Sequence, residues 1–431
     1  MDEIIKILIQ VGIILLIFFI PIPKFNYFNF SKEKSFSFFD EIFFNLIILI
    51  NLILILSFFN LNIFFMLIIT SLLVLFYLIY NFKKNELKFD LRIIFLLIFF
   101  LIIAFDVSFN LKLGWDAQKL WFPKVLNFYQ NNNLSNLNTL YWPEYPYLGS
   151  LLWAFFWKIS FSEYEYLGRF IYIFIFCLSV FSLSDILKVS LIKQVLFSSI
   201  SITLIYNYHL FSGYQEILIF SFVIFAAKYS YLIIHEKKLN FFYLVLLSLI
   251  FNALIWIKNE GIFISLFISI IIFFFSNFKL NHKLILLSIL GLLIVIRLSV
   301  FNFYNFDISL QPGSYTDFSL KNFINKFDSS RILIIYKYLF QSLFKNFNYL
   351  ILLSPLFIFF YYLRSKKFGE IKFIIIYLIL HLGFINFAFL MTDRPIEFAV
   401  ISSVDRLIFE FSGYYFLLII MCLNKYIENK K

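Results

Sequence analysis

The stretch GWDAQKLWFPKVLNFYQNNNLSNLNTLYWPEYPYLGS, residues 114–150, is the longest polar interval in the chain, and apolar segments lie on both sides of it. It contains Trp, Tyr and Pro residues, which argue against disorder. Long ordered loops in otherwise compact proteins are commonly functional. We therefore expect residues 114–150 to form the active-site loop of a chain that is otherwise mostly apolar.

The composition indicates a membrane protein. The 431 residues are 62% hydrophobic and 14% charged, with a net charge of +11, whereas soluble domains have about 45–50% apolar and about 25% charged residues. The basic residues form short clusters between apolar segments, as in cytoplasmic loops, so we expect no nucleic-acid partner. Cys177 and Cys422 lie within apolar segments and indicate neither a disulfide framework nor a thiolate metal site.

Apolar segments recur at about the 20 residues that a membrane helix needs. We predict an all-α polytopic membrane protein, a single integral membrane domain over residues 1–431 with about 13 transmembrane helices. The predicted segments are 4–22, 41–60, 61–81, 92–106, 165–184, 191–208, 216–234, 240–257, 262–277, 284–303, 348–363, 371–390 and 409–424.

Clusters of Lys and Arg between these segments give the predicted orientation, because cytoplasmic loops are enriched in both residues. If each segment crosses once, residues 107–164 form the first extracytoplasmic, catalytic loop and residues 304–347 the second large one, while residues 1–92 add extra N-terminal spans. We expect interfacial helices at Tyr147 to Ile159, in the first loop, and at Phe323 to Phe347, which charged residues interrupt.

The first candidate motif lies in the 114–150 loop. Asp116 begins a helical-looking run, with Lys119 three positions later on the same helix face. Pro123 is expected to kink or restart this helix next to Lys124. An ordinary Asp and Lys pair on an interfacial helix explains the spacing equally well.

Three further motifs are predicted to face the same side. Glu216 enters a helix after a Gly-Tyr turn, where a carboxylate can also be a plain helix cap. Lys258 and Glu260 lie between two apolar segments, where they could simply face water. Arg406 and Glu410 stand four apart and can pair on one helix. An Arg at the head of a membrane span can instead hold a lipid phosphate.

The histidines carry no metal-ligand spacing, and structural roles are expected for all four. They are His209, His235, His282 and His381.

The order of these motifs resembles the GT-C fold glycosyltransferases, membrane enzymes that use polyprenyl-phosphate sugars, and in particular the protein mannosyltransferase and aminoarabinose transferase branch. The matching sequences are WDAQKLWFPKVLNFY, YWPEYPYLGSLLWAFFWKIS, SEYEYLGRF, SGYQEILIF, KNEG and SSVDRLIF, which together extend over residues of about 107–412. The spans before Ile93 exceed what this fold usually places ahead of its first catalytic loop.

The resemblance implies a glycosyltransferase that moves a sugar from a polyprenyl-phosphate donor to an extracytoplasmic lipid, glycan or protein acceptor. It assigns catalytic roles to two acidic residues, Asp116 and Glu216. At the second position the family more often has Asp. The cations that it offers to the donor phosphate are Arg406, Lys258, Lys119 and Lys124.

Trp115, Tyr145 and Glu260 are the expected substrate-binding residues. Some members of the family use a divalent metal, so the resemblance allows one at Asp116 and Glu216, although two carboxylates do not make a convincing metal site. We expect an integral protein of the bacterial inner (plasma) membrane, with the site facing the periplasm or exterior.

Two alternatives remain open. A transporter or flippase of lipid-linked saccharides would place ionisable residues near the middle of its helices, around a water-filled cavity. A non-catalytic membrane scaffold would leave Asp116 and Glu216 far apart, whereas carboxylates that converge on one outward cavity would argue against it.

Overall fold

The computed structural model of the chain describes residues 2–19, 37–82, 90–187, 189–235, 241–306, 326–344, 349–365, 369–392 and 394–428. The α-helices are α1 Asp2–Phe19, α2 Phe38–Phe58, α3 Ile63–Phe82, α4 Arg92–Phe109, α5 Phe122–Tyr129, α6 Leu148–Ile159, α7 Tyr166–Ser184, α8 Leu191–Ile205, α9 Glu216–His235, α10 Phe241–Ile257, α11 Glu260–Phe275, α12 Leu280–Phe303, α13 Ser329–Leu343, α14 Tyr349–Ser365, α15 Lys372–Met391, α16 Ile396–Ser412 and α17 Phe416–Glu428.

The all-α prediction is confirmed, since the described part of the chain contains no β-strand. Each predicted span overlaps a helix, although the span 409–424 begins near the end of α16 and continues into α17. By length and composition, seven helices among the described residues are long and apolar enough to cross a membrane, which is consistent with an integral membrane protein. They are Phe38–Phe58, Arg92–Phe109, Tyr166–Ser184, Glu216–His235, Leu280–Phe303, Gly369–Met391 and the continuous region Ile396–Glu428.

The remaining predicted spans include helices that are short for a bilayer. α8, α10, α11 and α14 have 15, 17, 16 and 17 residues. At about 1.5 Å per residue they extend roughly 22–26 Å, whereas the hydrocarbon core is about 30 Å thick. Thirteen crossings therefore stay a prediction. Most of the Lys and Arg clusters from which the membrane orientation was predicted lie outside the described residues, and so do residues 307–325 of the second loop.

Two helices form the centre of the bundle. Every residue of α7 is buried, and α9 is buried from Glu216 to Ser230. A helix that is apolar all round is expected to be enclosed by others, and α7 packs against α1, α2, α4, α6, α8 and α9. α12 lies at the periphery, with only a few of its side chains buried.

The two predicted interfacial helices differ in their environment. α13 lies on the protein surface, with Leu333 and Phe340 exposed and Ile335 and Leu339 buried, and its place at a membrane interface stays a prediction. α6 is instead enclosed, because every residue from Leu148 to Trp157 is buried. Its apolar sequence allows burial against α5, α7 and α10, so α6 is a core element and does not lie on the surface.

A network of buried ion pairs joins α2, α4 and α9 at one end of the bundle. Lys228 of α9 donates to Asp40 Oδ1 of α2 at 2.6 Å and to Asp185 Oδ2 at 3.0 Å. Arg92 of α4 pairs with Asp185 as well, and with Asp90 at 2.6 Å. Lys228 lies 12 residues along α9 from its first residue, about 18 Å by helical rise.

Candidate functional site

A second group of charged side chains brings together, at the start of α9, the motifs that are predicted to face one side. Arg406 Nη1 donates to Asp116 Oδ2 and lies 3.4 Å from Glu216 Oε1. Lys258 Nζ lies 3.2 Å from the same Glu216 oxygen, and it also donates to Glu410 Oε1. Glu260 Oε1 lies 3.8 Å from Lys258 Nζ. The charge cluster is defined as Asp116, Glu216, Lys258, Glu260, Arg406 and Glu410.

The cluster has a closed inner part and an accessible outer part. The side chains of Glu216 and Glu410 are 1% and 0% exposed. Those of Asp116 and Arg406 are 17% and 20% exposed. The outer pair can therefore be reached by a ligand, whereas the inner carboxylates are enclosed by protein.

The sequence around Asp116 explains its placement. Asp116 precedes a π-helical turn, Ala117–Trp121, which continues into α5 with Pro123 in its first turn. Proline cannot supply the backbone N–H of a regular helix, so the predicted restart at Pro123 is found. The Gly114 N–H donates to the Ser212 carbonyl at 2.8 Å, and a Cβ at Gly114 would overlap the Tyr214 ring. Glycine thus lets this loop approach the entry to α9.

Lys258 lies in a tight turn between α10 and α11. Arg297 of α12 donates to the Ile255 carbonyl at 2.8 Å and to Asn259 Oδ1, which fixes this turn from behind. Burial would lower the pKa of the Lys258 ammonium, but the surrounding carboxylates outweigh burial and raise it above its ordinary value. Lys258 is therefore a permanent cation held by carboxylates, and it does not simply face water.

Arg406 differs from its predicted position. It was expected at the head of a span that begins at residue 409, but it lies ten residues into α16, which begins at Ile396. Its partners are Asp116 and Glu216, and Glu410 pairs with Lys258 instead. Glu410 was not among the predicted site residues, although its spacing of four from Arg406 places both on one helix face.

A cavity of about 240 Å³ opens beside the charge cluster. All three predicted substrate-binding residues, Trp115, Tyr145 and Glu260, line it. Its remaining aromatic and cationic lining comes from Trp121, Trp142, Phe263, Phe384, Phe387, Phe389, Lys258, Arg394 and Arg406. The lining combines charged groups with Phe side chains, so the cavity is amphipathic. Such a lining is typical of small-molecule sites.

Two lysines predicted to bind the donor phosphate lie outside the cavity lining. Lys119 is solvent-exposed. Lys124 is fully buried, and its ammonium donates to the carbonyls of Tyr145 at 2.7 Å and Pro143 at 3.4 Å. Burial lowers the pKa of Lys124 to about 7, with Glu144 opposing this effect. Lys124 therefore holds the turn that contributes Trp142 and Tyr145 to the cavity.

Two histidine rings flank the segment that carries Glu410. The His209 ring stacks on Phe409 with centroids 4.8 Å apart, and the His381 ring stacks on Phe411 at 4.5 Å. Burial, together with the nearby charge of Lys258, lowers the pKa of His209 to about 3, so this ring is neutral. Both rings serve as packing partners that position Glu410.

The acidic residues do not fit a divalent metal. The Arg406 guanidinium lies against both Asp116 and Glu216, so a cationic side chain already occupies the space that a shared ion would need. Within the described ranges, no group of three or more His, Cys, Asp or Glu side chains could hold a metal. A metal at Asp116 and Glu216 is therefore not supported by this donor set.

Comparison of the chain with protein-family models, curated proteins and solved structures found no match.

Proposed function

We propose that this protein is a membrane glycosyltransferase that moves a sugar from a polyprenyl-phosphate donor to a hydroxyl acceptor outside the cytoplasm. The observation that carries the proposal is the contact between Asp116 and Arg406 at one amphipathic cavity. A base and an anion-binding cation side by side are what a single displacement at the anomeric carbon requires.

In the proposed reaction Asp116 acts on the acceptor and Arg406 acts on the donor phosphate. The acceptor oxygen forms a bond to the anomeric carbon while the bond from that carbon to the phosphate oxygen breaks, and the phosphate keeps the electron pair. Asp116 takes the proton of the acceptor hydroxyl. Arg406 stabilises the negative charge that develops on the departing prenyl phosphate. One displacement of this kind inverts the anomeric configuration.

The apolar wall supports a lipid-linked donor. Phe263, Phe384, Phe387 and Phe389 line the same cavity as Asp116 and Arg406. Burial of a prenyl chain against such a surface is favourable at roughly 25 cal/mol per Å² of apolar area. A donor whose phosphate contacts Arg406 and whose isoprene units contact these rings would use both the cationic and the apolar parts of the lining.

The contacts bear on the two alternatives. A scaffold was expected to leave Asp116 and Glu216 far apart, but both contact Arg406 Nη1. This convergence favours a site over a scaffold. A transporter of lipid-linked saccharides would move the donor intact, whereas the proposed enzyme cleaves it, so the fate of the donor separates these two functions.

The cellular test is mass spectrometry of cell-envelope glycans with and without the protein. Loss of the protein should remove a sugar-sized mass from one envelope component, and wild type should restore it. Asp116→Asn and Arg406→Ala should lower the restored amount at least about 100-fold, the usual worth of a general base or a charge-stabilising group. Glu163→Gln, which changes an exposed acid outside the cavity, is the matched control. Full restoration by both site variants would contradict the proposal.

A further inference from the structure

Asp116 and Arg406 form an ion pair with each other. The Oδ2 atom of Asp116 accepts from Arg406 Nη1, and the same nitrogen lies 3.4 Å from Glu216 Oε1. In the proposed reaction each group has a different partner: the acceptor hydroxyl for Asp116 and the donor phosphate for Arg406. While the ion pair is intact, Asp116 Oδ2 and Arg406 Nη1 are bound to each other and not to a substrate group.

Lys258 cannot take the place of Arg406 as the first cation that a phosphate meets. Its ammonium lies 3.2 Å from Glu216 Oε1 and 3.8 Å from Glu260 Oε1, and it also donates to Glu410. Three carboxylates thus surround one amine whose side chain is only 7% exposed. Arg406, at 20% exposure, is the more accessible cation.

The charges around Arg406 favour replacement of Asp116 by a phosphate over binding of both anions to Arg406 at once. A phosphate that approached Arg406 with Asp116 still bound would meet a carboxylate of its own sign at contact distance. Guanidinium binds phosphate and carboxylate alike through a planar fork of donors. The phosphate can therefore displace Asp116, whose side chain lies in the outer, accessible part of the charge cluster.

We propose that a prenyl phosphate displaces Asp116 from Arg406, so that donor binding itself releases the carboxylate that deprotonates the acceptor. The identity of the anion rests on the proposed function. This exchange makes binding ordered, with the donor before the acceptor. It also protects the donor, because the base is not released until the phosphate is in place. The departing prenyl phosphate keeps Arg406 occupied until it leaves.

The exchange predicts that removing the negative charge of Asp116 strengthens the binding of a prenyl phosphate. Farnesyl phosphate is titrated into the detergent-purified full chain, and its dissociation constant is measured by calorimetry. Asp116→Asn should bind it about five- to tenfold more tightly than wild type, since the competitor and its like charge are both gone. Arg406→Gln should bind it at least about tenfold more weakly. Glu163→Gln should match wild type, and farnesol, which lacks the phosphate, should bind all four proteins equally.

An Asp116→Asn protein that binds farnesyl phosphate no more tightly than wild type would overturn the exchange. If this variant does not fold, Asp116→Ser removes the same charge and gives the same comparison. The titration contains no sugar, so its result is independent of turnover. A wild-type protein that transfers sugar while Asp116→Asn shows no gain in affinity refutes the exchange alone. If Asp116→Asn binds farnesyl phosphate more tightly but the wild type transfers no sugar, the proposed function alone is refuted.

Discussion

Lys124 acts on the cavity through the backbone of a neighbouring turn. Its buried ammonium donates to the carbonyls of Pro143 and Tyr145. The same turn holds Trp142 in a left-handed conformation, with φ of 53°. A bulky residue in this region costs on the order of 1–3 kcal/mol, and such conformations cluster at functional sites. Lys124 therefore stabilises a strained turn that lines the cavity.

Replacing Lys124 with Met should destabilise the protein, because two carbonyls of a half-buried turn lose their donor. The expected cost is about 1–3 kcal/mol, the desolvation penalty of an unpaired buried group. Thermal unfolding of the detergent-solubilised protein measures it. Lys112→Met alters an exposed lysine of the same loop and should shift stability by less than about 0.5 kcal/mol. Equal midpoints for the two variants would show that Lys124 does not hold the turn.

The cost of Lys124→Met should also depend on pH. Burial lowers the pKa of Lys124 from 10.5 to about 7 in the folded chain. Between these values the unfolded chain binds more protons at this site, so the contribution of Lys124 to stability rises with pH. The difference in unfolding midpoint between wild type and Lys124→Met should therefore widen as pH rises from about 6 to about 9. A difference that narrows over this range would contradict the assignment.

At the scale of elements, the turn between α10 and α11 depends on a glycine. A Cβ at Gly261 would overlap the Leu254 carbonyl of α10. This close approach sets the position of Lys258, three residues earlier, among its carboxylates. Any larger residue has to push α10 and α11 apart.

Gly261→Ala should therefore lower both stability and ligand affinity. Overpacking of this kind costs about 1–3 kcal/mol, and the shift of Lys258 should weaken farnesyl phosphate binding severalfold. Gly291→Ala in α12 is the matched control, since nothing lies within 4 Å of its added Cβ. Alanine in that helix interior should be neutral or stabilising by up to about 1 kcal/mol. Measured midpoints and affinities that are the same for both variants would contradict the role of Gly261.

The elements that sequence predicts well are those that depend on local pattern. Apolar runs bounded by polar residues predict a helix wherever they occur, and every predicted span has one. The number of crossings depends also on helix length against bilayer thickness, and α8 and α11 are too short to decide it by themselves. The apolar run of α6 fits burial as well as an interface, and only the tertiary packing distinguishes them.

At the scale of the whole molecule, the site depends on contacts between distant parts of the chain. Asp116, Glu216, Lys258 and Arg406 were predicted from local motifs, and the structure brings all four together. Which acid each cation would contact could not be predicted, since the Asp116 and Arg406 pair spans 290 positions. The burial of Lys124 likewise depends on a turn 19 to 21 residues away.

The bundle holds buried ion pairs at two separate levels. Lys228 and its aspartate partners join α2, α9 and the end of α7, well away from the cavity. Breaking a buried pair leaves an uncompensated charge and is strongly destabilising. We interpret this network as a tie between helices, whereas the charge cluster beside the cavity is the site of the proposed function.

The most direct test of the proposed function follows the fate of the donor in purified protein. A polyprenyl-phosphate-linked, radiolabelled sugar is incubated with wild type or Asp116→Asn and a membrane extract that supplies acceptors. Wild type should release free polyprenyl phosphate in the same molar amount as labelled acceptor, at least about 100-fold faster than Asp116→Asn. Recovery of the donor intact, or equal rates for the two proteins, would contradict the proposed reaction.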